Sequence, residues 1–168
     1  LEEFKDRNKI SRPAHAKPDL LTTCFILAVI FLIETLSNAG LIGAAHQSGY
    51  IGAYTLALAL SFINVSCGFA AGYFALRSVY HKSVVKKVWG LTFVAGYLAF
   101  ILIFNLYVSY VRDAMQSGGI QESLNQVWMK LWTPTIDFQS FEAPVMWIIG
   151  IVFSLVAFYK GFRNDDPF

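Results

Sequence analysis

The chain has 168 residues, 56% of them hydrophobic, 16% aromatic and only 14% charged, with a formal net charge of +2 at pH 7. Soluble domains hold about 45–50% apolar and about 25% charged residues, so this composition excludes an ordinary soluble domain. The small net charge also argues against a nucleic-acid-binding surface, because no basic patch stands apart from positions that membrane orientation explains.

Residues 1–19 form an N-terminal arm that mixes acidic and basic residues, as a solvated helix end or a disordered tail does. No cleavable signal of basic, short apolar and small-residue regions is recognisable. The start at Leu1 and the ending "RNDDPF" are read as a processed protein or as the membrane part of a longer chain.

The first apolar run covers 20–45, "LLTTCFILAVIFLIETLSNAGLIGAA". A helix rises about 1.5 Å per residue against a hydrocarbon core of about 30 Å, so this run spans a bilayer with some tilt. Pro18 and Asp19 suit its start. Within it stands Glu34, with Ser37, Asn38 and Leu41 at helical offsets on the same face. An ionised carboxylate at a transmembrane helix centre costs about 2.5–3.5 kcal/mol on insertion scales, so Glu34 must face the bundle, a pore or a partner subunit, or be protonated.

The second run, 51–76, carries Ser61, Asn64, Gly68 and Gly72 on one stripe. Its "GFAAG" is a small-xxx-small pattern that lets helix backbones approach closely, and Asn64 is placed to hydrogen-bond across helices. The loop that follows, "RSVYHKSVVKK", is basic; Arg77, His81, Lys82, Lys86 and Lys87 are candidates for binding an anionic lipid headgroup or serve only to set topology. The third run, 88–111, adds Asn105 at a depth similar to Glu34 and Asn38.

An amphipathic helix is predicted over 119–132. Ile120, Leu124, Val127, Trp128 and Leu131 recur at helical spacing, opposite Gln121, Glu122, Asn125, Gln126 and Lys130. With Trp128 and Trp132 as anchors, it is expected to lie in the membrane interface or to fold over the bundle mouth. The fourth run, 143–162, opens after Glu142, and 163–168 is a charged tail or linker.

Four spans put both termini on one side. Lys and Arg concentrate in the N-terminal arm, the basic loop and the tail, with only Arg112 and Lys130 on the other face. The positive-inside rule therefore places both termini in the cytoplasm, or on the matrix or stromal side of an organelle. Tyr50, Tyr107, Tyr110 and Trp147 fall near the outer interface, and Tyr80, Trp89 and Tyr159 near the inner one.

The fold class expected is thus an all-α integral membrane protein, a four-transmembrane-helix bundle with an interfacial helix between the third and fourth spans. Glu34, Asn38, Asn64 and Asn105 are candidates for one buried polar cluster, which fixes helix register, forms an ion or proton site, or holds a small headgroup. Ser61, Gly68 and Gly72 are assigned to helix packing. Cys24 and Cys67 lie inside apolar runs and read as small hydrophobes. His15, His46 and His81 fall outside the spans, and no P-loop, nucleophile-elbow or metalloprotease motif is present. No catalytic residue, metal or cofactor is therefore expected. The function expected is a membrane anchor and assembly module of a larger protein or complex, in contact with the lipid bilayer and with other membrane subunits or copies of itself. Cytoplasmic domains on a longer parent chain are a further expected partner. The alternative is an oligomeric ion-conducting pore using Glu34.

Overall fold

The computed structural model describes residues 20–43, 49–117, 120–133 and 135–163. The expectations for 1–19, for His46 and for 164–168 lie outside the described residues, as do those for the side chains of Tyr50, Arg77 and 120–125.

All regular structure among the described residues is helical: α1 (Leu20–Gly43), α2 (Gly49–Val79), α3 (Val84–Ser117), α4 (Ile120–Leu131) and α5 (Glu142–Arg163). Each of α1, α2, α3 and α5 is long and apolar enough to cross a membrane. These four candidate spans point to a multi-pass membrane protein. At 31 and 34 residues, α2 and α3 reach about 46 and about 51 Å, well beyond a hydrocarbon core of about 30 Å. The helices therefore continue past the apolar runs. In α3 the added turns carry Lys86 and Lys87 at one end and Arg112 and Asp113 at the other.

The central pair is α2 and α5, whose mutual contact is the most extensive in the molecule; α1 and α3 flank it, and α4 packs on α3. Small residues make the central contact possible. A Cβ added to Gly72 would lie 2.8 Å from the Phe158 carbonyl carbon and 3.0 Å from the Phe162 nitrogen. One on Gly68 would lie 2.5 Å from the Ser154 carbonyl oxygen, and one on Gly161 3.0 Å from the Tyr73 nitrogen. Backbone rests on backbone along this seam, as small-xxx-small packing allows.

The interior is layered. Ile42, Ala53, Ala57, Val108 and Met146 form an apolar cluster toward one end, and Ile30, Val65 and Ala157 form another toward the other. Between them the helices bury Glu34, Asn38, Ser61, Asn64 and Asn105. The outer faces expose large apolar side chains, among them Phe25, Leu36, Phe62, Phe74, Phe93, Ile103 and Ile148. That inversion of an aqueous surface is what a lipid-facing bundle requires.

Glycines divide by position, and this sets a test. A Cβ at Gly96 would meet nothing within 4 Å, whereas at Gly72 it would strike the α5 backbone. Gly72→Ala is expected to destabilise the bundle by about 1–3 kcal/mol through overpacking. Gly96→Ala is expected to be neutral or to stabilise by up to about 1 kcal/mol through helix propensity. Denaturation of the two variants in detergent, followed by circular dichroism, checks the order.

Candidate functional site

Asn64 stands where all four long helices meet. Its side-chain amide donates to Glu34 Oε1 of α1 at 2.7 Å and to the Gly150 carbonyl of α5 at 2.7 Å. Its side-chain oxygen accepts from Asn105 Nδ2 of α3 at 3.2 Å. Its backbone carbonyl accepts from Ser154 Oγ of α5 at 3.3 Å. Gly150 also makes room for Asn105: a Cβ there would fall on the Asn105 amide, 2.7 Å from its Cγ. Asn105 Nδ2 also donates to Ile101 of its own helix at 2.9 Å, which holds its rotamer.

Two further contacts extend the layer. The Asn38 side chain donates to Ser61 Oγ at 3.3 Å, so it bonds to α2 beside the Asn64 cluster. Tyr97 OH of α3 lies 2.9 Å from the Ser154 carbonyl oxygen and 2.8 Å from Ser154 Oγ and directs its one proton at this pair, while its ring stacks on Phe158. Glu34, Asn64 and Asn105 are thus brought together directly. Ser61 contributes a hydrogen bond in addition to packing, and Gly68 and Gly72 lie on the α2–α5 seam.

The carboxylate is sealed: Glu34 is 1% exposed. Among the described residues, three buried side-chain oxygen atoms have no hydrogen-bond partner: Glu34 Oε2, Thr35 Oγ1 and Asn38 Oδ1. All three come from α1. Low dielectric makes each such atom costly, by about 1–3 kcal/mol.

A second polar centre closes one end of the bundle, and the sequence reading took its arginine only as a charge on the far face. Arg112 is 1% exposed. Its Nε donates to the Leu41 carbonyl in the last turn of α1 at 3.1 Å, and its Nη2 lies 3.4 Å from Glu142 in the first turn of α5. A cation at a helix C-terminus and an anion at a helix N-terminus each complement the helix dipole. Arg112 Nη1 also faces Asp113 Oδ1 at 3.4 Å and donates to Ser140 Oγ. Asp113 in turn accepts from Ser140 Oγ and, at 2.8 Å, from the Gln139 backbone. Tyr110 OH accepts from the Asp137 backbone at 3.3 Å, and Phe138 packs between the Tyr110 and Trp147 rings. The segment entering α5 is therefore pinned onto the end of α3. The available sequence signal was an adjacent Arg112-Asp113 pair ending one apolar run, with Glu142 opening the next.

Among the remaining sequence candidates with described side chains, the tryptophans and the basic residues lie at the surface. Val127 of α4 is buried, while Trp128 and Trp132 are exposed and meet edge to face at 6.0 Å. His81, Lys82, Lys86 and Lys87 are exposed in the turn between α2 and α3 and in the first turn of α3. Among the described residues no group of three or more His, Cys, Asp or Glu side chains is placed to hold a metal.

Both centres yield stability predictions. Asn64→Leu removes the common partner of three helices and should cost about 1–3 kcal/mol. Asn105→Leu should cost less, because one Asn105 amide hydrogen already serves its own helix; equal losses would contradict the central role of Asn64. Arg112→Met strands buried Asp113 and should cost about 3–5 kcal/mol, whereas Lys130→Met, at a partly exposed position, should change stability little. Chemical denaturation in detergent micelles measures all four variants. No protein-family model, no curated protein and no solved structure matches this chain.

Proposed function

We propose that the chain is the membrane anchor and assembly module of a larger protein or membrane complex. The observation that carries this reading is the use made of Asn64. Its amide and both of its oxygens are engaged with three other helices of the same chain. In such an arrangement the intramembrane polar groups fix depth and register, as buried polar residues do in helical assemblies. The apolar outer faces suit contact with lipid, with other membrane subunits or with further copies of the chain. The exposed Trp128 and Trp132 on α4 fit an interfacial helix. The distribution of Lys and Arg supports cytoplasmic termini, or matrix or stromal ones, with the basic turn on the same side.

A second reading is an oligomeric ion-conducting pore. It draws on the three unpartnered oxygens of Glu34, Thr35 and Asn38, a set of hard acceptors of the sort that replaces an ion's hydration shell. Planar-bilayer recording of the purified protein separates the two. The anchor reading expects silence from correctly assembled protein, together with unchanged assembly in Glu34→Gln, since glutamine retains an acceptor for Asn64. Discrete cation currents that change in Glu34→Gln would replace it with the pore.

A further inference from the structure

Helices α2 and α3 touch near the turn that joins them and are bonded again at Asn64 and Asn105, but one flank of the pair is open between these contacts. A Cβ at Gly90 would lie 2.5 Å from the Val79 nitrogen and 2.8 Å from the Ser78 carbonyl carbon, whereas at Gly96 it would meet nothing within 4 Å. A groove of about 640 Å³ lies along this flank of the bundle. Small residues such as Ala71 and Ala75 form its α2 wall, Trp89, Phe93 and Gly96 line its α3 side, and Tyr97 contributes to its lining while stacking on Phe158. Trp89 and Phe93 are mostly exposed, so the groove opens laterally toward the surroundings of the bundle.

Toward the α2–α3 turn, just beyond the lining residues Ser78 and Trp89, cationic side chains follow. Lys86 lies on the same α3 stripe as Trp89, Phe93 and Gly96, at helical offsets of three, seven and ten. Beside it stands His81, whose Nδ1 accepts the Ser83 backbone N–H at 3.0 Å. A backbone N–H only donates, so the proton of the neutral ring resides on Nε2. That Nε2–H faces the Lys86 ammonium at 3.2 Å. Two donors this close are relieved by an anionic oxygen that accepts from both.

We propose that this groove binds one anionic phospholipid, with an acyl chain along Ala71, Phe93 and Gly96 and the phosphate held by His81 Nε2 and Lys86 Nζ. Apolar length and cationic mouth are joined on one helix stripe, which is the chemistry of a phospholipid and not that of a free phosphate. Trp89 sits at the junction, where an amphipathic ring belongs. The site rests on the four helices lying in a bilayer and is independent of whether the bundle anchors or conducts.

Native mass spectrometry of the whole chain released from detergent, with phosphatidylglycerol and phosphatidylcholine of equal chain length, tests the proposal. Wild type should retain one phosphatidylglycerol in preference to phosphatidylcholine. Lys86→Gln should reduce that preference about fivefold, the effect of one cation near an anionic headgroup, and His81→Gln should also reduce it. Lys87→Gln removes the same charge one residue away and off the stripe, so it should leave the preference nearly intact. Gly96→Leu projects into open space and should lower retention of both lipids while circular dichroism stays unchanged. Equal losses in Lys86→Gln and Lys87→Gln would reduce the effect to diffuse attraction and overturn the site. Unchanged retention in Gly96→Leu, displacement of the lipid by soluble glycerol phosphate, or a lipid-free dimer with the groove covered by a second copy would each overturn it as well.

Discussion

The four-way hydrogen bonding of Asn64 is the constraint on which the rest of the structure depends. In a hydrocarbon environment the helices gain little by burying apolar surface against each other, because lipid tails are as apolar as the side chains they replace. Directional bonds and close packing must select one arrangement from many of similar energy. Asn64 reaches Glu34, Gly150 and Asn105 only when α1, α3 and α5 are at one depth and one rotation relative to α2. A slip of one residue on any of them turns its polar group about 100° away and leaves it unsatisfied among apolar side chains.

Close packing and polar bonding are coupled through the glycines. Without side chains at Gly68, Gly72 and Gly161, α2 and α5 approach until their backbones touch. That proximity brings the Gly150 and Ser154 groups of α5 within reach of Asn64. Tyr97 then ties α3 to the same Ser154. Where packing is closest the molecule is bonded most densely; on the flank of α2 and α3 around Gly96, an apolar groove remains.

Two kinds of polar structure serve two ends of the problem. The central layer aligns the helices laterally, while Arg112, Asp113, Ser140 and Glu142 join α1, α3 and α5 at one end and hold the intervening segment down. Arg112 is buried, yet its charge is balanced by Asp113 and Glu142 and by the Leu41 carbonyl in the last turn of α1, so it need not reach water. The unpartnered oxygens of Glu34, Thr35 and Asn38 stand apart from this economy of partners; they concentrate unmet hydrogen-bonding capacity on one helix.

The sequence by itself determined the helical class and the four long apolar helices, because the bilayer leaves few options: apolar runs of sufficient length must satisfy their backbones internally. It also marked Glu34, Asn38, Asn64 and Asn105 as anomalies, since a polar group in an apolar run stands out without any knowledge of its partners. Helix ends were less legible. α2 and α3 extend beyond their apolar stretches because a helix ends where its backbone bonding ends, not where its hydropathy falls. Tertiary structure alone decided that Asn64 is the hub, that Asn38 bonds to Ser61 beside it, and that Arg112 is buried. Those outcomes depend on relative depth and rotation of helices distant in the chain, and composition carries no record of either. Periodicity tells which residues share a face; only packing tells which face meets which.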